Sequence, residues 1–319
     1  MRGWVLGLLA LTGLVVVMAA IAGWIVWRHP LAVDARLSRW ALARAGFEKR
    51  NLQGPNGRLI VWEGGAGPTL VLLHGAGDQA GSWSKVAPAL AERLRVVIPD
   101  LPGHGGSGPA AGPLTLEMEL RGVEAVLAVF TGGKPAVLVG NSLGAWVAAL
   151  VAVDHPSWVS RLVLVDGGPV RGDPHAPSLQ PANRAQARRL METLMGPDGK
   201  LIPGFVLDDV VRRARVGPIA RLVESADEMK RFLLDGRLSE VQAPVDLLWG
   251  EADGLFPIAY AQRLEAGLPA ARLTTIAGCG HVPQRQCPRR FGEALAKILE
   301  SAPPAARAGD GMGAVDASR

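Results

Sequence analysis

Cysteine is almost missing from this chain. Cys279 and Cys287 are the only two among 319 residues. That excludes a scaffold held by several disulfides; a single bridge, and with it the redox compartment, stays open. Also missing is any basic stripe interleaved with aromatic side chains. Lysines and arginines number 34 against 29 acids, and the net charge of +5 is spread along the chain, so nothing marks a nucleic-acid surface. No segment repeats another. The sharpest absence is of charge between Gly3 and Trp27. As a helix that run would be about 37 Å long, more than the roughly 30 Å of a hydrocarbon core.

A cleaved signal peptide is the rival for this run, but its apolar region is about 7–15 residues and ends on small side chains. Here the run ends on Trp24-Ile25-Val26-Trp27, as an interfacial aromatic belt does. A retained transmembrane anchor over residues 3–27 is favoured, followed by a basic juxtamembrane helix or linker over 28–50. Arg28, Arg36, Arg39 and Arg44 follow the span, while Arg2 and the amino terminus precede it. Taken alone, this bias places the C-terminal side in the cytoplasm. Val33, Leu37, Trp40 and Arg44 recur at helical spacing. A helix lying on the membrane surface and a linker helix packed on the domain both satisfy that pattern.

Beyond the span, the chain is long enough for one large α/β domain. Its centre is Ala136–Ala149, AVLVGNSLGAWVAA. Ala136–Val139 reads as a buried strand, Ala145–Val153 as an apolar helix, and Gly140-Asn141-Ser142-Leu143-Gly144 joins them without a gap. A G-x-S-x-G pentapeptide between strand and helix is a nucleophile elbow, in which a strained turn lifts the serine hydroxyl above the sheet edge. Glycines flank it because strand and helix pass almost in contact. The helix N-terminus also aims N–H groups at the place where an oxyanion would form.

In chain order, Asn51–Trp62 alternates around Gly54–Gly57 as an edge hairpin, and Thr69–Leu73 is a buried strand running into His74-Gly75-Ala76-Gly77. Trp83–Arg93 reads as helix, Arg95–Pro99 as strand, and a glycine-rich loop, Asp100–Ser107, follows. Leu114–Phe130 is helical and Arg161–Val165 is a strand closing on Asp166-Gly167-Gly168. From residue 169 to 240 the pattern changes to proline-punctuated helices, at Ala182–Met195, Asp208–Val216 and Ala220–Asp235. The core resumes with strands at Pro244–Trp249 and Arg272–Ile276 and a last helix at Arg289–Glu300; residues 301–319, rich in Ala, Gly and Pro, read as disordered. Strands alternating with helices predict a mostly parallel α/β sheet.

Ser142, Asp253 and His281 each follow a predicted strand, which brings them to one sheet edge in the order Ser…Asp…His. A serine hydroxyl needs a base to become nucleophilic; His281 would supply it and Asp253 would orient the ring. Asp166, also ending a strand, is the reserve acid, and Glu251 a weaker one.

Four motifs, His74-Gly75-Ala76-Gly77, Asp100–Ser107, the elbow, and the pair Gly250–Pro257 with Gly278–Pro283, resemble the α/β-hydrolase family over about Leu59–Leu299. The resemblance implies a core over 51–168 and 241–300 with a helical cap over 169–240. It implies oxyanion donors at the N–H groups of Ala76 and Leu143, and structural roles for His74, Asp100 and His104. It implies no metal and no organic cofactor. Carbon–carbon bond hydrolases of aromatic-ring degradation usually carry tryptophan after the histidine and Gly-Pro-Gly in the oxyanion loop; here stand Val282 and Gly77-Asp78-Gln79. Dehalogenases and epoxide hydrolases need an aspartate where Ser142 stands. His-Val-Pro is more similar to membrane-associated and monoacylglycerol-type lipases. The expectation is a membrane-anchored serine hydrolase of carboxylic esters, with an ester or lipid-derived small molecule as substrate. A carbon–carbon bond hydrolase and a non-catalytic binding member are the alternatives. Chain length of the substrate and oligomeric state stay open.

Overall fold

The structure is a computed structural model and describes residues 2–306. The expected disorder of 307–319 lies outside the described residues. Eight strands form one sheet: β1 (Glu48–Gly54), β2 (Gly57–Gly64), β3 (Thr69–Leu73), β4 (Arg95–Pro99), β5 (Ala136–Asn141), β6 (Val159–Val165), β7 (Val245–Gly250) and β8 (Ala271–Ile276). Their spatial order is β1-β2-β4-β3-β5-β6-β7-β8. The hairpin β1–β2 joins the rest antiparallel through β4, and β4 to β8 are parallel. The mostly parallel α/β sheet read from the sequence is the one observed.

The central strands are continuous apolar runs because both faces are covered. In β3, Val71 and Leu73 enter one core while Leu70 and Leu72 enter the other. The first core is closed by α4 (Leu116–Phe130), α5 (Leu143–Asp154) and α10 (Ile258–Gly267), the second by α3 (Ala87–Leu90) and α12 (Pro288–Glu300). Thr115 caps α4 by accepting from Met118 N–H at 3.2 Å, as a threonine before an apolar helix should. Chain direction across the sheet reverses at β3, since β4 lies on one side of it and β5 on the other. Such a switch point leaves a crevice at the carboxyl ends of the two strands. Ser142 and the loop after β3 meet there.

Two helices precede the sheet. In helix α1 (Arg2–Arg28) the window Leu11–Arg28 has a mean hydropathy of 1.8 and none of it is buried. Helix α2 (Pro30–Arg44) packs Leu42 into the second core. Between β6 and β7 the chain leaves the sheet for α6 (Arg184–Met195), α7 (Gly204–Ala214), α8 (Pro218–Val223) and α9 (Ala226–Met229), and α11 (Pro283–Gln286) precedes α12.

Two helices read from sequence are broken. The stretch 83–93 is a 3₁₀ turn, Ala80–Trp83, followed by the single turn of α3; Pro88 has no N–H to continue a helix arriving from Trp83. The stretch 220–235 breaks into α8, α9 and a 3₁₀ turn, Lys230–Phe232. Its end is pinned by Leu234 N–H on Pro169 O at 2.7 Å, so the chain has to turn back rather than run on. Ser301 is tied down too, accepting from Arg161 at its carbonyl (2.9 Å) and from Arg272 at its hydroxyl (2.9 Å).

Candidate active site

Strand β5 delivers Ser142 to the switch point with φ 54° and ψ −116°, a region that non-glycine residues rarely enter. Close packing enforces it. A Cβ on Gly140 would lie 2.3 Å from Gly144 O, one on Gly144 2.5 Å from Leu73 O, and one on Gly167 2.5 Å from Ser142 Cα. The turn is held by Ser142 N–H donating to Val165 O at 2.9 Å.

His281 comes from the loop after β8, with Nε2 3.0 Å from Ser142 Oγ and Nδ1 2.9 Å from Asp253 Oδ2. A carboxylate only accepts, so Nδ1 carries the proton and Nε2 turns its lone pair to the hydroxyl. The other oxygen, Asp253 Oδ1, accepts from Leu255 N–H (2.8 Å) and Phe256 N–H (3.1 Å), which fixes the carboxylate plane. Asp253 is 3% exposed and His281 5%. The Phe256 ring packs 5.6 Å from the imidazole and helps to exclude water from it.

The loop after β3 closes over this group as a turn. Asp78 N–H donates to Gly75 O at 3.2 Å, and Gly77 takes φ 76°, the third position of a type II turn, where glycine is needed. Ala76 stands at the second position. Among the described residues, neither Ala76 N–H nor Leu143 N–H, at the start of α5, has a hydrogen-bond partner. Both donors are therefore open, as anion-binding amides must be.

The reserve acids are placed elsewhere. Asp166 is fully buried with φ 45°, and its Oδ1 accepts from Gly250 N–H at 2.8 Å. Burial, and then the neighbouring Asp253 charge, push its carboxyl well above the usual range. Glu251 accepts from Thr275 Oγ1 at 2.8 Å on the exposed side of β8. His74 lies under the oxyanion loop, Nδ1 2.8 Å from Gly75 O, with Nε2 accepting from Leu101 N–H at 3.0 Å. Asp100 takes Ala80 and Gly106 N–H groups on its two oxygens, both at 2.7 Å, and His104 Nδ1 lies 2.8 Å from Pro102 O. These three build the loop.

Three supports escaped the sequence reading. Asn141, inside the elbow, donates to His281 O at 2.9 Å and accepts from Gln284 Nε2 at 3.1 Å; an amide in a buried strand was the available signal. The C-terminal carbonyls of α6 reach into the site: Thr193 O accepts from Gly254 N–H at 2.8 Å and Leu194 O from His281 N–H at 2.7 Å. Helix ends leave such carbonyls unpaired, and here the loops bearing Asp253 and His281 satisfy them. Cys279 and Cys287 form a disulfide that brackets His281. Among the described residues no cluster of His, Cys, Asp or Glu is arranged to hold a metal ion.

Residues 70–294 match the model of the "Alpha/beta hydrolase family". The chain belongs to that family. Within it, a solved structure of a membrane phospholipase A superposes with a TM-score of 0.71 at 26% identity, over 94% of this chain and 98% of that one. The pimeloyl-[acyl-carrier protein] methyl ester esterase of Aromatoleum aromaticum is 35% identical, covering 68% of this chain and 92% of the relative. A 2-hydroxy-6-oxononadienedioate/2-hydroxy-6-oxononatrienedioate hydrolase of Cupriavidus pinatubonensis is 30% identical, over 74% and 88%. Proteins named as an esterase, a phospholipase and a dienedioate hydrolase thus align with this chain.

Proposed function

We propose that the protein is a membrane-anchored serine hydrolase of carboxylic esters, working through Ser142, His281 and Asp253. The observation that carries this reading is the continuous chain Ser142 Oγ–His281–Asp253 at 3.0 and 2.9 Å, at the edge of a strained elbow. His281 Nε2 takes the Ser142 proton as Oγ attacks the ester carbonyl. The carbonyl oxygen becomes an oxyanion facing the N–H groups of Ala76 and Leu143, each such donor being worth about 10²–10³ in rate. The C–O bond then breaks, the departing alcohol takes the proton from His281, and Ser142 is left acylated. Water attacks the acyl-enzyme with His281 again as base, releasing the acid and restoring the hydroxyl.

Ester hydrolysis is preferred to carbon–carbon cleavage because Val282 and Gly77-Asp78-Gln79 depart from the pattern of the ring-cleavage enzymes. The esterase and phospholipase relatives lean the same way. The long apolar α1 and a membrane phospholipase neighbour aligned over 94% of the chain support an anchor and a lipid-derived ester. As to the side of the membrane, the arginine count and the disulfide disagree. A bridge between Cys279 and Cys287 belongs to an oxidising compartment. Of the four arginines, Arg39 has a local task in docking α2, through Gln79 Oε1, which weakens the charge count. We place the catalytic domain outside the cytoplasm.

The direct test is acylation. Wild-type protein should label with a fluorophosphonate probe and hydrolyse p-nitrophenyl esters with a burst, while Ser142→Ala keeps its melting temperature and loses both by at least about 10⁴-fold. Labelling of the alanine variant at the wild-type rate would move the nucleophile elsewhere. A series of acyl chain lengths, run beside a ring-cleavage product, separates the two hydrolytic readings.

A further inference from the structure

The outer side of the oxyanion turn is gripped by a part of the chain that has no place in the chemistry. Arg285, on α11 four residues beyond His281, forms an ion pair with Asp78 Oδ1 at 3.1 Å and another with Asp34 of α2. Asp78 is the last residue of the Gly75–Asp78 turn, and its Oδ1 also accepts from Gln79 N–H at 2.9 Å. The following residue is tied to α2 as well. Gln79, 5% exposed, donates from Nε2 to Ser38 Oγ at 3.1 Å and accepts at Oε1 from Gly81 N–H (2.8 Å) and Arg39 (3.4 Å). The fit is close: a Cβ on Gly81 would stand 2.5 Å from Ser38 Oγ.

Resting on the serine-hydrolase reading above, we propose that Arg285 and α2 position the oxyanion loop, so that the juxtamembrane helix is part of the catalytic apparatus rather than a tether. The turn is short, and Ala76 N–H can reach a developing oxyanion only if both ends of it are fixed. Gly75 is held from inside by His74 Nδ1, 2.8 Å from its carbonyl oxygen. Asp78 is held from outside by Arg285. Without the guanidinium, Asp34 and Asp78 lose the cation they share, and the turn moves outward. Displacements of about 1 Å are enough to cost up to 10² in rate. Arg285 touches no reacting atom; it acts through Asp78.

The test uses the full-length chain in detergent, with a p-nitrophenyl ester and the matching thionoester, whose sulfur is a poor acceptor for oxyanion-hole donors. Arg285→Gln should lower kcat on the oxygen ester about ten-fold with KM within two-fold, and should lower the ester-to-thionoester ratio. Arg285→Lys should restore most of both, and Asp34→Asn should show the same signature more weakly. Arg93→Gln, removing the exposed pair with Glu300, serves as the control and should match wild type. A smaller folded fraction would scale both substrates equally and leave the ratio alone, so equal losses, or an unchanged kcat, overturn the positioning role. If wild type itself fails to acylate Ser142, the hydrolase reading falls first and this one with it; a labelled wild type with unmoved ratios removes this one alone.

Discussion

Two carboxyl groups at the ends of adjacent strands divide their tasks by environment. Asp253 is oriented by two backbone N–H groups and faces His281, while Asp166 is buried, bonded to Gly250 N–H, and pushed up by that burial. On the proposed mechanism Asp253→Asn should lower kcat about 10⁴-fold, because the amide supports the wrong tautomer of His281. Asp166→Asn, which keeps an oxygen for Gly250, should stay within a few-fold of wild type. The reverse order of effects would make Asp166 the working acid. The same logic applies to His104 and Glu119, whose Nδ1 and Oε1 lie 3.6 Å apart in a site sealed from water, with the His74 ring and the Arg221 guanidinium nearby. Burial, then His74, lower His104 from 6.5 to about 3, and burial raises Glu119. Since the unfolded chain binds the His104 proton below pH 6.5 and the native one does not, that group stabilises above 6.5 and loses its contribution as pH falls toward 3. Urea midpoints should show wild type losing about 1.4 kcal/mol per pH unit relative to His104→Gln between pH 6 and 4. Glu119 has the opposite sign: relative to Glu119→Gln, wild type should lose stability as pH rises above about 4.5. Parallel pH profiles would show that these groups do not titrate as their burial requires.

At the scale of the element, the elbow depends on contact between β5 and α5. A methyl on Gly140 meets the Gly144 carbonyl at 2.3 Å, backbone against backbone, so Gly140→Ala should cost about 1–3 kcal/mol and lose fluorophosphonate labelling. Gly292 in α12 has its nearest neighbour, Val86 Cγ1, at 3.9 Å from the added carbon. Gly292→Ala should therefore raise stability by about 0.5–1 kcal/mol without touching activity. Thermal melts of the pair read both effects, and equal behaviour would contradict the close approach at the elbow. The elbow was legible beforehand because its glycines, its serine and the flanking periodicities are local. The breaks at Pro88 and after Val223 were less so, since the second is decided by where the returning chain meets Pro169 O.

For the molecule as a whole, the apolar α1 and the disulfide bear on one question that the proposed anchor raises, the side of the membrane on which it would hold the domain. Alkaline phosphatase fused after residue 306 should be active, and the intact protein should resist thiol alkylation until reduced and unfolded. An active cytoplasmic reporter with two free thiols would restore the orientation read from Arg28, Arg36, Arg39 and Arg44. Whole-molecule packing also explains why α6 carries weight. Its C-terminal carbonyls hold the Asp253 and His281 loops, so the insertion after β6 is a wall of the site.

Sequence by itself determined the parallel sheet, the elbow and the three side chains that meet at 3.0 and 2.9 Å. Each of these is written in a short window of apolar period, glycine and turn chemistry, and strand ends of a parallel sheet must share one edge. The tertiary structure alone decided that Asp166 is buried against Gly250 N–H while Asp253 faces the imidazole, that Asn141 and α6 hold the histidine loop, that the two cysteines pair, and that α2 meets the Gly75–Asp78 turn through Arg285. Those partners are separated by up to 251 residues, as Asp34 and Arg285 are. Burial and contact over such distances are properties of the packed molecule and leave no periodic trace in the chain.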